Sequence, residues 1–374
     1  MPENKLHHYV PKCHLRPFAS GEAVNLYNIE RGRLIQGAPI KGQCVRNYFY
    51  GKDGKLERAL QDIEGAYATA VGKATENPAS LSLPDLAVLR EFALLQTFRT
   101  YGNIEKLMAL ADKQYADIEL AASGRPIPPR MLESVDEAVT MSIGNYLALR
   151  EHIDDLDLCL IVNESRRPFI TSDDPAIHTN RFHFQKLRSG SFGYSNSGTM
   201  LFLPLTPKLA FVAFDGNVYF APDRRNNIIA VTRDAEVAAI NELQILHARQ
   251  NVYYRDAETG EMTAAEFQRL SGDRPHVWNE LLYFEKTDDP TDVERYKRVE
   301  AMNFEQGRQY MTLVRSVHVR PSRWPDLLRY RLRPRSVDTG TAAGVVRPNH
   351  RVLRAGWRAV QAAPYGTGDL AGAT

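Results

Sequence analysis

The chain has 374 residues, 43% of them apolar and 25% charged, with 47 Lys and Arg set against 45 Asp and Glu for a formal net charge of +2. This length and balance exclude a wholly disordered chain and a protein that grips polyanions through its overall charge, and they leave room for one large domain or two ordinary ones. The three cysteines, Cys13, Cys44 and Cys159, are odd in number and form no CxxC pair, which excludes a disulfide framework or zinc ribbon and fits a reducing cytoplasm.

The opening residues, MPENKLHHYVPK, are too polar for a signal peptide, and no later apolar run has the length to cross a bilayer. The expected location is therefore cytoplasmic, without a membrane partner. Next, "HHYVPKCHLRPFAS" (residues 7 to 20) sets three histidines among residues expected to pack inward: Tyr9, Val10, Leu15 and Phe18. "AVNLYNIERGRLIQGAPI" reads as a hairpin around Glu-Arg-Gly-Arg, and "VRNYFYG" as a third strand. In "KLERALQDIEGAYATAVGKA", Leu56, Leu60, Ile63, Tyr67 and Val71 recur at helical spacing, predicting a helix over residues 55 to 75. Ser82 is the expected N-cap of the following helix, with Pro84 and Asp85 in its first turn. Helix then continues, interrupted by "GRPIPPR", to make residues 55–153 an all-helical bundle.

From Leu156 the pattern changes to short β-rich runs, "LDLCLIVNES", "PFITSDDPAI", "GTMLFLPLT", "KLAFVAF" and "GNVYFAP", suggesting a largely antiparallel sheet over 156–256. A helix capped by Asp234, with Val237, Ile240, Leu243 and Leu246 inward, feeds the strand "NVYYRD". The expected fold is thus α+β in a single domain, 1–318. Residues 319–374, rich in Arg, Pro, Gly and Ala, read as a weakly ordered basic tail. The tail's arginines with Trp324, Tyr330 and Trp357 are a candidate nucleic-acid surface, set against solvated disorder.

Three stretches carry residue types suited to chemistry. His7, His8, Cys13, His14 and Cys44 are possible zinc ligands, but their spacing matches no common module. The His-His pair before a Pro also opens ββα-metal nucleases, yet no histidine falls between His14 and His152 to complete that pattern. Glu57 and Glu64 lie seven residues apart, on one helix face beside the buried stripe, where each needs a partner such as Arg99 or Arg16. "FITSDDPAI" ends a strand in Ser172, Asp173 and Asp174, a place where hard cations are held and equally a place for an Asx turn. Asn241 would reach such a site or cap a neighbouring backbone.

In order and spacing, "HHYVPKCHLRPF", "LERALQDIEG", "LQTFRT", "FITSDDP", "FLPLTPKLAF" and "INELQILHARQNVYYR" resemble the bacterial family catalogued as domain of unknown function 4238, over about residues 5 to 255. The resemblance implies no mechanism. It marks His8, Pro11, Arg16, Glu57, Glu64, Arg99, Ser172, Asp173, Pro175 and Asn241 as positions matching the family pattern, with Asp174 standing where an Asn is usual.

The functional expectation is a metal-dependent phosphodiesterase or nuclease acting on a nucleic-acid or other phosphodiester substrate. His8, Glu57, Glu64, Asp173 and Asp174 would hold a divalent Mg or Mn ion, a second His would act as general base, with His7 and His8 both counted as catalytic, and Arg16 or Arg99 would hold the anion. The alternative is a non-catalytic binding or regulatory protein in which the same residues form a buried ion-pair network.

Overall fold

The helices follow the apolar stripes closely. In order they are α1 (Lys12–Leu15), α2 (Lys55–Glu76), α3 (Leu83–Arg99), α4 (Tyr101–Ala122), α5 (Val135–Leu149), α6 (Asp234–His247) and α7 (Ala257–Leu270). These come from a computed structural model that describes residues 5–122, 132–275, 277–287, 296–305, 308–341 and 343–348. α2 buries Leu60, Tyr67, Ala70, Val71 and Ala74 on one face. α3 starts where expected: the Ser82 hydroxyl accepts from Asp85 N–H and the Asp85 side chain accepts from Ser82 N–H, a reciprocal cap. A second such cap, Ser134 with Glu137, starts α5.

Asp234 is not the cap of α6. Arg233 holds that position, and Asp234, in the first turn, instead accepts from the backbone N–H groups of Arg166 and Arg167. A carboxylate that short can reach a neighbouring loop as readily as its own helix end.

The main sheet has six strands in the order Arg224–Arg225, Ile228–Val231, Asp157–Asn163, Leu209–Phe214, Met200–Thr206 and Ile177–Thr179. Every pairing is antiparallel except that of Ile228–Val231 with Asp157–Asn163. Its central strands are buried on both faces, which is why they read as unbroken apolar runs. Leu160, Leu201, Leu203, Phe211 and Ala213 join the core shared with α2, α3 and α5. Cys159, Ile161, Phe202, Ala210 and Val212 join a second core with Val237, Ile240 and Leu243 of α6. The period-two alternation sorts one strand's side chains between two cores. A five-stranded sheet carries the expected hairpin, Ala23–Asn28 with Arg33–Pro39, beside Asn251–Tyr254. Leu6–His8 pairs antiparallel with Val45–Asn47 in a separate two-stranded ribbon.

Buried, packed residues extend further along the chain than composition suggests. Beyond Val319, itself buried, Leu327, Leu328, Val345 and Val346 are buried as well, and the first two join Val345 in the second core. Arg347 is fully buried. It donates to both Asp155 oxygens at 2.9 Å and to the carbonyls of His152, Tyr194 and Asn196. Residues 319–341 and 343–348 therefore form a strap across the second core rather than the start of the tail, and the arginine richness that reads as solvated includes an anchoring residue. Trp324 packs against this core, as does Tyr330. Trp357 and the rest of the expected tail lie outside the described residues.

Two predictions follow from burial. Arg347→Met should cost about 3 kcal/mol, since it strips several buried acceptors of their donor; a urea midpoint shift equivalent to under about 1 kcal/mol would show that the strap is not anchored there. Burial also pulls His14 to about 3, His247 to about 4 and His318 to about 3, from an ordinary value of 6.5. The unfolded chain takes up protons at these histidines near pH 6.5 while the folded one does not, so stability should fall as pH drops from 7 to 5.5. Asp173, raised to about 6 by burial, opposes this, as do Asp174 and Asp215, which burial raises as well, but the lowered histidines, with His178 and His183 among them, are more numerous. Urea midpoints at the two pH values test the sign, and a higher midpoint at pH 5.5 would refute it.

Candidate functional site

The opening histidines lie on or beside a ribbon whose pleat sends neighbours to opposite sides. His7 points inward and is 1% exposed. Its Nδ1 accepts from the Tyr50 backbone N–H at 3.1 Å, and its Nε2 lies 3.1 Å from Glu57 Oε2. Both nitrogens are occupied, so His7 orients Glu57 and has no free lone pair with which to act as a base.

His8 faces the other way, into a cavity of about 370 Å³. Its Nδ1 donates to the Gln43 carbonyl at 3.0 Å, which leaves Nε2 with the lone pair and no hydrogen bond among the described residues. Burial first, then the charge of Lys12, holds its pKa down to about 4, so the ring is neutral at physiological pH. Glu57, Glu64, Arg16, Lys12 and Tyr50 share the cavity wall with it.

His14, third in the stretch, is wholly buried. Its ring nitrogens meet the Tyr67 hydroxyl and the Thr171 hydroxyl, each at 2.8 Å, while Tyr67 stacks on Phe92 with ring centroids 3.6 Å apart. It is a satisfied core residue that ties α1 to α2 and to the sheet.

Arg99, at the end of α3, underlies the wall. Only 1% exposed, it donates from Nε to the Tyr50 hydroxyl at 2.9 Å and from Nη2 to the His8 carbonyl at 2.9 Å and Glu64 Oε1 at 2.7 Å. Its Nη1 is buried without a hydrogen-bond partner among the described residues. Arg16 is different: more than half exposed, it stands 3.7 Å from Glu22 at the surface and also lines the cavity. Cys13 also lines the cavity, but burial pushes its thiol up to about 12, which makes it a poor nucleophile.

The strand-end acids lie elsewhere. Asp173 accepts from the backbone N–H groups of Arg249 at 2.9 Å and Gln250 at 2.7 Å. Asp174 accepts from the Thr100 hydroxyl and from Lys106, and Ser172 caps its N–H. Neither lines the cavity. Asn241 likewise serves the backbone, accepting from Ile170 N–H and donating to the Pro168 carbonyl. Of the expected residues, the fold gathers His8, Glu57, Glu64 and Arg16 around one space, sets His7 and Arg99 behind them, and separates Asp173 and Asp174. Among the described residues no group of three or more His, Cys, Asp and Glu side chains is arranged to hold a metal ion. Tyr50, a wall residue and hydrogen-bond partner of Arg99, gave no signal in "VRNYFYG" beyond its β propensity.

A family model described as a protein of unknown function (DUF4238) matches residues 6–258. The chain belongs to that family. The DUF4238 span holds every cavity-wall residue and stops within α7, so the strap anchored by Arg347 lies beyond it. The Asp174 charge is answered by Lys106 at 3.4 Å. Comparison with curated proteins and with solved structures finds no match in either. No helix among the described residues is long and apolar enough to cross a membrane.

The wall depends on Arg99. Arg99→Met should lower stability by roughly 3–5 kcal/mol, because Glu64, Tyr50 and the His8 carbonyl lose one shared donor. A denaturation midpoint within about 1 kcal/mol of wild type would mean that the cavity stands without it.

Proposed function

We propose that the cavity over α2 is a hydrolytic site for phosphodiesters or related phosphate esters, working with a divalent Mg or Mn ion that binds together with substrate. The observation that carries this reading is His8: an imidazole neutral above about pH 4, fixed in one tautomer by Gln43, with Nε2 uncommitted in a wall it shares with two carboxylates and two cationic side chains. In this role His8 takes a proton from attacking water, and Arg16 and Lys12 hold the anionic ester at the rim. Glu57 and Glu64 supply the metal's carboxylates, oriented from behind by His7 and Arg99. Mg commonly takes only one or two protein carboxylates and completes its shell with water and substrate phosphate, so two acids in the free protein suit it. Asp173 and Asp174 have no part in this version of the site.

A second reading has its own support. The Arg99, Tyr50, His8 and Glu64 contacts form a buried network of the kind that pins a chain terminus, and a binding or regulatory protein would use it without catalysis.

The deciding experiment is hydrolysis of a panel of phosphodiesters with and without Mn²⁺, alongside elemental analysis of the purified protein. Hydrolysis that needs the metal, and that His8→Ala lowers by roughly 10²–10⁴-fold at unchanged melting temperature, supports the enzyme. The acid limb of kcat/KM should then fall near pH 4 rather than 6.5, since activity is lost only when His8 takes a proton. No turnover across the panel, with His8→Ala lowering the melting temperature, would leave the network reading.

A further inference from the structure

The edge strand Ile177–Thr179 of the main sheet, the π-helical turn His183–Leu187 and the loop after it gather a set of buried rings around His318, where the strap begins. His178 stacks on Tyr194 with ring centroids 4.1 Å apart and meets His318 edge-on at 5.4 Å. His318 stacks in turn on Phe192 at 3.8 Å, and Phe192 meets His183 edge-on at 5.6 Å. His318 Nε2 donates to the Phe192 carbonyl at 2.9 Å. By contrast, Nε2 of His178 and both ring nitrogens of His183 are buried without a hydrogen-bond partner among the described residues.

The strap grips this region along its length. Trp324 packs on Phe184 with ring centroids 6.0 Å apart, and Tyr330 on Phe182 at 6.4 Å. The Val345 carbonyl accepts from Ser197 N–H and from the Asn196 amide, each at 3.0 Å, and Arg347 donates to the Tyr194 and Asn196 carbonyls. The segment from Phe182 to Ser197, which carries His183, is therefore held by the strap at both ends, and His178 reaches the same strap through Tyr194 and His318.

The charges facing the rings are positive: Arg347 from the strap and Lys106 from α4, with His247 at the end of α6 able to add another and itself faced by Arg274. Asp155 and Asp174, the acids beside those two cations, are already their partners. Burial holds all three rings neutral, His183 at about 4, His318 at about 3 and His178 well below the ordinary 6.5. The Ser191 and Val345 carbonyls near His183 favour its charged form but do not offset burial. We infer that His178, His183 and His318 form an acid-released latch: protons have no acid to meet them in this cluster, so they favour a state in which the strap lifts and the rings meet water while the helical core stays folded.

The direction follows from which state binds the protons. A ring that is lowered when closed and ordinary when open supports the closed state fully above about pH 6.5 and loses that support as pH falls toward its closed-state value. Between pH 7 and 5.5, each such ring raises the opening constant about eightfold. Asp215, raised by burial near Arg347, opposes with one group. The three rings together should therefore raise opening on the order of a hundredfold.

Hydrogen exchange of the full chain, read by mass spectrometry at pH 7.0 and 5.5 and corrected for the intrinsic pH dependence of exchange, tests this. Peptides from 319–341 should open on the order of a hundredfold more at the lower pH, while those of α2 and α3, which meet one lowered ring in His14, should change about tenfold or less. His183→Gln loses no hydrogen bond and His178→Phe keeps a ring on Tyr194; each should cut the strap's response about eightfold. They are made separately, so that if one fails to fold the other decides. A strap equally protected at both pH values, loss of protection shared equally with α2, or a response that a folded variant leaves undiminished overturns the latch.

Discussion

An arginine cannot shed its proton inside a protein, so a buried one obliges its surroundings to come to it. Arg99 does this at the junction of three segments that are distant in sequence: the ribbon strand through the His8 carbonyl, the loop after the ribbon through Tyr50, and α2 through Glu64. The planar fork admits only certain directions of approach, and this sets the strand, loop and helix relative to α3. The cavity is the space left between elements so constrained.

That constraint gives the three neighbouring histidines separate roles. Within eight residues, one ring is engaged at both nitrogens under the ribbon, one at a single nitrogen on its face, and one in the core between Tyr67 and Thr171. Residue type and spacing are nearly the same for His7 and His8, and the pleat alone distinguishes them. A strand of only three residues is enough, because its antiparallel register with Val45–Asn47 leaves no freedom as to which side each ring takes.

Much of this architecture was legible where the information is local. The stripe of α2, the Ser82 cap and the inward residues of α6 are properties of a dozen residues or fewer, and they appear as read. The acids at positions 57 and 64 were legible as needing partners, and α3 supplied one of them in Arg99 as anticipated. What was not legible depends on contacts across the chain. Asp173 closes the backbone at Arg249 and Gln250, more than seventy residues away, and nothing in "TSDDP" separates that use from metal binding. Arg347 lies among arginines of the same local composition, and only its meeting with Asp155 and three remote carbonyls distinguishes anchor from tail.

The strap also bears on the order in which the molecule is completed. A ribosome delivers residues 152 to 196 well before residue 347, so the carbonyls of His152, Tyr194 and Asn196 emerge ahead of the guanidinium that later binds them. Until then the nascent sheet exposes to the cell an apolar face that Leu327, Leu328 and Val345 will cover. The second core is therefore complete only once the strap that Arg347 anchors has been made.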